Sequence, residues 1–128
     1  MLFRSTVAFS TIQSNTHLLS GVATIDNGGD ETQQIPCGGR AVVRIGAPTI
    51  TSAKISFNVV PYPGATARAV HDLTNTKFEI NQGTGNATFV VPYLSGCYSF
   101  SIVTSASQGD AREFQVQCVG SNPSSVAV

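Results

Sequence analysis

Ala53-Lys54-Ile55-Ser56-Phe57-Asn58-Val59 alternates apolar and polar residues without a break. A period of two puts Ala53, Ile55, Phe57 and Val59 on one side of an extended chain and Lys54, Ser56 and Asn58 on the other, which is a half-buried strand and not a helix. Upstream, Ala41, Val43 and Ile45 alternate with Val42 and Arg44 in the same way, and Pro48 lies in the link between the two runs. Downstream, the turn Pro61-Tyr62-Pro63-Gly64 leads to a weaker strand around Thr66 to His71. Then come Lys77 to Ile80 with Phe78 and Ile80 inward, and Ala87 to Val91 with Phe89 inward.

The period of two persists to the C-terminal part. Tyr98, Phe100 and Ile102 share one face, Phe114, Val116 and Cys118 share another, and Ser107-Gln108-Gly109-Asp110 lies between. This pattern predicts a hairpin. Leu18 to Ile25 reads as a further strand, ending at Asn27-Gly28-Gly29-Asp30-Glu31 as a turn. No stretch carries a helical stripe, so the count of eight or nine short strands predicts an all-β fold, a single antiparallel β-sandwich of jelly-roll or immunoglobulin-like type. Residues 1–17 read as an N-terminal arm, residues 18–119 as the sandwich domain, and residues 120–128 as a flexible Ser/Pro-rich C-terminal tail.

At 128 residues the chain suits one domain and is long enough to bury a core without disulfides or a structural metal. Seven basic residues balance seven acidic ones, and only 11% of the chain is charged. With no basic cluster, neither nucleic acid nor an anionic membrane is an expected partner. No apolar run approaches the ~18 residues of a membrane helix, and Met1-Leu2-Phe3-Arg4-Ser5-Thr6 lacks a charged region followed by an apolar block. The chain therefore reads as made inside the cell and unprocessed.

Cys37, Cys97 and Cys118 form an odd set without C-x-x-C spacing, which predicts three reduced, partly buried thiols and neither a disulfide framework nor a zinc site. If Phe100 and Phe114 share the core face, strand alternation turns Cys97 to the face opposite Cys118, disfavouring a bridge between them.

Catalytic chemistry finds little support. His71-Asp72 is the only neighbouring His-carboxylate pair, but adjacent strand residues point to opposite faces and no G-x-S-x-G elbow is present. The pair reads as a strand end entering the turn Leu73-Thr74-Asn75. His17 and His71 have no second ligand at metal spacing, so no metal or other cofactor is expected. Gly83-Thr84-Gly85 reads as a hairpin turn and not a phosphate cradle, and the sequon at Asn86 matches by chance. Phe57, Phe78, Phe89, Phe100 and Phe114 fall on inward phases. Tyr62 and Tyr93, both beside Pro, remain as exposed contact candidates. Phe3, Val7 and Phe9 fall on one alternating face of the arm, with no evident place in the core.

Pro48-Thr49-Ile50-Thr51-Ser52-Ala53-Lys54-Ile55-Ser56-Phe57 resembles a segment of small virion proteins of tailed bacteriophages: Pro, a short spacer, Thr/Ser-Ala, then alternating apolar residues ending in Phe. Other blocks follow the same order. They are Leu19-Ser20-Gly21, Val70-His71-Asp72 with Phe78-Glu79-Ile80, Val91-Pro92-Tyr93-Leu94-Ser95-Gly96, and Gln108-Gly109-Asp110-Ala111-Arg112-Glu113-Phe114. The likeness spans about Leu18 to Val119. It departs from the pattern in having no Trp near Ile50 and a longer N-terminal segment, and no residue-specific site carries over. The resemblance implies a non-enzymatic capsid decoration (cement) protein on the virion surface, made in the cytoplasm of the host bacterium. Its implied partner is the major capsid protein, and its implied form a homo-oligomer, most simply a trimer. Alternatives are a tail, neck or baseplate component, or a virion-surface carbohydrate-binding module. On the decoration reading, the arm would attach to a neighbour by β-augmentation through Phe3, Val7 and Phe9.

Overall fold

The computed structural model describes residues 4–50, 53–81 and 87–120. Among them are nine strands in two antiparallel sheets and a single 3-10 turn: β1 (Ser10–Ser14), β2 (Leu18–Ile25), β3 (Val42–Ala47), β4 (Lys54–Val60), β5 (Arg68–Ala69), β6 (Ile80–Asn81), β7 (Ala87–Val90), β8 (Ser99–Thr104) and β9 (Arg112–Val119), with the turn at Pro92–Leu94. The expected all-β antiparallel sandwich is what the chain forms. One sheet has the order β1-β2-β9-β3-β7. In the other, β4 pairs with β8 along one edge and with β5 and β6 along the opposite edge.

The alternation that predicts strands also selects the core. Val43 and Ile45 of β3, Ile55 and Phe57 of β4, Phe100 and Ile102 of β8, and Phe114, Val116 and Cys118 of β9 are buried between the sheets. Phe57 meets Phe100 edge-on at 6.3 Å and stacks on Phe78 at 6.2 Å, so three elements converge on one ring. Two turns match their sequence signals. Gly64 has φ 85°, open only to a residue without Cβ strain, and Ala65 N–H donates to the Tyr62 carbonyl. At His71-Asp72, the Asp72 carboxylate accepts from the Thr74 and Thr76 N–H groups and the Thr74 hydroxyl, and Asn75 adopts φ 62°. These bonds, led by the Thr74 hydroxyl, hold the Asp72 carboxyl below the usual carboxylate range.

The expected β8–β9 hairpin does not form. β8 pairs with β4, β9 pairs with β2 and β3, and residues 105–111 carry the chain from one sheet to the other. The crossing is pinned by Gln108, whose N–H donates to the Gly29 carbonyl while its own carbonyl accepts from Gly28 N–H. Phe100 and Phe114 do face the same core, but from opposing sheets. Tyr98 also departs from expectation: it precedes β8, outside the strand's alternation, and is 47% exposed.

The N-terminal segment is not a free arm. Ser5 N–H donates to the Glu31 carbonyl at 2.7 Å, and the Asp26 carboxylate accepts from Thr6 N–H and the Ser5 and Thr6 hydroxyls. The Thr6 N–H and then the Ser5 hydroxyl hold the Asp26 carboxyl below its ordinary value. β1 then pairs with β2 through a turn in which Asn15 Oδ1 accepts from the N–H groups of His17 and Leu18. Residues 4–14 thus run from the margin of one sheet to the edge of the other. Phe3 lies outside the described residues, as do the expected turn at Gly83, the sequon at Asn86 and the tail residues 121–128.

Gly21 explains how the segment seats so closely. A Cβ there would fall on the Ser10 carbonyl oxygen and about 2.5 Å from Phe9 Cζ, both too close for any side chain. We expect Gly21→Ala to cost about 1 to 3 kcal/mol in denaturant unfolding and to release amide protection in residues 9–14. Unchanged stability and protection would show that the segment is not seated on Gly21.

Candidate functional site

The outer face of the five-stranded sheet is an exposed surface built from regular structure. Strand alternation sends Val43, Ile45, Phe114 and Val116 inward, so Ser20 and Val22 of β2, Arg44 and Gly46 of β3, Thr88 of β7, and Gln115 and Gln117 of β9 turn outward. A shallow depression of about 430 Å³ lies on this face, bordered by Ile12, Val22, Gly46, Thr88, Gln115 and Gln117. Its charge is sparse, and Arg44 is held by a 2.9 Å bond to Gln117 Oε1.

Apolar groups mark the two margins. At one edge, the β1–β2 register slips between Thr11 and Gln13, so Ile12 occupies a bulge and stands 74% exposed. At the other, Val90 pairs with Arg44 on the outward phase and is exposed. Neither β1 nor β7 carries a Lys, Arg, Asp, Glu or Pro, the residues that commonly block edge-to-edge association.

The contact candidates from the sequence are not brought together as one patch. Val7 is exposed, but Phe9 is half-buried against the core and Gly21, which removes the alternating arm face expected of this pair. The chain reaches regular strand geometry only at Ser10, so residues 7 and 9 do not follow strand alternation. Tyr62 is exposed in its turn. Tyr93 sits on the 3-10 turn with its ring 4.8 Å from that of Phe78, so one face of it is taken by the core margin.

Two buried polar clusters have no simple sequence signal. In the first, Glu31 is nearly inaccessible, although it lies in what reads as an exposed turn. Its Oε2 accepts from Ser101 Oγ at 2.6 Å, Arg4 Nη2 at 3.1 Å and Asn58 Nδ2 at 3.2 Å. Burial pushes the Glu31 carboxyl up, but the bonds from Ser101, Arg4 and Asn58 together outweigh it and leave it below the ordinary glutamate value.

In the second, Cys37, Cys97 and Cys118 meet in the core, all as free thiols. Cys97 is thus not turned away from Cys118. It follows Gly96, which has φ 76°, and precedes β8, so strand alternation does not fix its direction. Arg40 is buried beside them; its Nη1 donates to the Cys37 carbonyl, its Nη2 to the Asn15 carbonyl, and its Nε has no partner among the described residues. Hydrogen bonds from Cys118 and then Cys97 pull the Cys37 thiol down, to about 4, while the same contacts and burial push Cys97 and Cys118 up.

No family model and no curated protein matches the sequence. Among solved structures, the chain is similar to the cupin domain of Schizosaccharomyces pombe Cnp3, at 16% identity and a TM-score of 0.45. The match covers 88% of this chain and 59% of that one, so this chain spans less than two thirds of that structure's length. A likeness of that degree says nothing about what this chain binds. No helix among the described residues is long and apolar enough to cross a membrane.

Proposed function

We propose that the protein is a non-enzymatic bacteriophage virion component, a capsid decoration protein that binds the assembled lattice of the major capsid protein. The observation that carries this reading is the outer face of the five-stranded sheet, which is broad and sparsely charged, with exposed Ile12 and Val90 at its margins. A surface of this kind suits a protein partner, because its edge strands β1 and β7 carry no blocking charge or Pro and could pair with a partner strand, burying the exposed Ile12 or Val90 beside the new pairing. The ordered resemblance of the sequence to small virion proteins supplies the identity of the partner. Attachment through this face replaces the arm as the means of docking, since residues 4–14 are already paired with their own sandwich.

The test is co-sedimentation of the full chain with empty expanded heads. Ile12→Lys and Val90→Lys place a charge on two exposed positions without entering the core. Each is expected to weaken binding at least roughly 10-fold, the effect of losing one anchor at an interface. Unchanged binding by both variants would move the interface elsewhere on the molecule. Failure of the parent protein to bind heads at all would leave the tail or carbohydrate-binding alternatives, the latter calling for a glycan held by Tyr62 or Tyr93.

A further inference from the structure

A second concave surface shares no residue with the depression on the five-stranded sheet. The N-terminal segment at Phe9 and Thr11 passes the loop at Gln34 and Pro36 and the start of β8 at Tyr98 and Ser99, and between them lies an open groove of about 560 Å³. The chain's own pairing shapes it. Ile35 is buried and exchanges both backbone bonds with Phe100, so strand alternation turns Gln34 and Pro36 outward on either side. Tyr98 is fixed at both of its backbone groups: its N–H donates to the Val60 carbonyl at 3.1 Å, and its carbonyl accepts from Gly38 N–H at 2.8 Å. Its side chain nevertheless stands 47% exposed, unlike the buried residues of β8 that follow it.

The chemistry of the lining limits what the groove can hold. Among the described residues that line it, none is Lys, Arg, His, Asp or Glu, so nothing there offsets the water an ionised ligand would lose. Its polar groups are neutral: the Gln34 amide and the hydroxyls of Thr11 and Ser99. Ser99 Oγ donates to Gln34 Oε1 at 2.9 Å, which sets the amide so that Nε2 has N–H bonds to give a ligand. Tyr98 adds a flat apolar face with a hydroxyl at its tip, beside the exposed Pro36. A pyranose ring matches this set. Its C–H face is apolar and weakly positive and lies against the electron-rich face of an aromatic ring, while its hydroxyls exchange hydrogen bonds with amides and hydroxyls. A proline-rich peptide calls for several exposed rings. Phe9 is half-buried with its Cζ against Gly21, which leaves Tyr98 as the single exposed ring among the lining residues.

We propose that this groove binds an uncharged oligosaccharide of about two or three pyranose units, one ring stacked on Tyr98 and its hydroxyls bonded to Gln34 Nε2 and Thr11 Oγ1. The volume sets the length, since it falls within the ~300 to 1,000 Å³ of small-ligand sites and exceeds what a single ring fills. The glycan is held and not cleaved, because the described lining offers no pair of carboxyl groups to act as acid and base. Neither Tyr62 nor Tyr93 lines the groove, so the site is distinct from the contact candidates of the sequence. It is also independent of the capsid reading.

The experiment follows the amide resonances of the full, isotope-labelled chain while neutral trisaccharides of glucose, galactose, mannose or N-acetylglucosamine are added up to about 10 mM. At least one is expected to bind with a Kd of about 1 mM or lower, shifting the backbone amides of Gln34, Gly38, Tyr98 and Ser99 and the Gln34 side-chain amide. Tyr98→Ala should weaken that binding at least roughly 10-fold, Tyr98→Phe should retain it, and Tyr62→Ala should leave it unchanged. A sialylated trisaccharide should bind more weakly than the neutral ones. Gln34→Ala should also weaken binding, and it keeps the test valid if Tyr98→Ala does not fold. No shift with any of the neutral sugars, equal binding by Tyr98→Ala and the parent, loss of binding on Tyr62→Ala, preference for the sialylated sugar, or groove shifts produced only by a proline-rich peptide would each overturn the proposal.

Discussion

Phe57→Ala and Phe100→Ala are each expected to lower the free energy of unfolding by ~3 to 5 kcal/mol. Both rings are fully buried, and they meet edge-on on adjacent strands β4 and β8. Truncation of either leaves a cavity that the paired backbones cannot close, so the loss exceeds simple transfer of the ring to water. Since a domain of this size is held by about 5 to 15 kcal/mol, either change should shift the urea midpoint strongly. The double variant should lose less than the sum, because each ring forms part of the other's cavity wall. A midpoint within error of the parent for either single variant would mean that β4 and β8 do not form the centre of the core.

Glu31→Ala carries the second large effect, a loss of about 3 kcal/mol, and it reaches the N-terminal segment as well as the core. The carboxylate holds Ser101 of β8, Asn58 of β4 and Arg4 of the leading segment on a single oxygen. Removing it leaves the buried Ser101 hydroxyl without its acceptor and severs the tie to Arg4, and such hydrogen bonds to charged groups contribute ~1.5 to 3 kcal/mol each. Arg4 is partly exposed and recovers water, which keeps the total well below three times that value. The pH dependence has a fixed sign. The folded Glu31 carboxyl titrates below its ordinary value, so its contribution is complete above that ordinary value and is lost as pH falls through the lower, folded one. Melts between neutral pH and about pH 3 should therefore show a shallower acid decline for Glu31→Gln than for the parent. An identical acid limb in the two proteins would show that folding does not lower the Glu31 pKa, and so that the carboxylate is not stabilised by its three donors.

Strand identity was legible in the sequence because alternation is a local property: Ala53 to Val59 and Ala41 to Ile45 reveal their inward faces without reference to any partner. Pairing is not local. The phase of Phe100 and Phe114 is the same whether β8 and β9 are hydrogen-bonded neighbours or face each other across the core, so a hairpin and a sheet crossing cannot be told apart from it. The same limit hid the thiol cluster, since Cys97 stands just outside β8 and takes its direction from the Gly96 turn. Glu31 was hidden for another reason. Asn27-Gly28-Gly29-Asp30-Glu31 has the composition of an exposed turn, yet Glu31 bridges to Val103 of β8 and to Arg4, which buries the acid. Gly21 and Phe9 likewise reveal their fit only in three dimensions, and with it the seating of the N-terminal segment.

The central functional claim turns on abundance. Quantitative mass spectrometry of purified virions, with the major capsid protein as internal standard, measures how many copies of this chain each particle carries. A decoration protein predicts a copy number that scales with the major capsid protein and falls when particles are prepared with Ile12→Lys. A handful of copies per particle, as for a neck or tail component, or none at all, would contradict it.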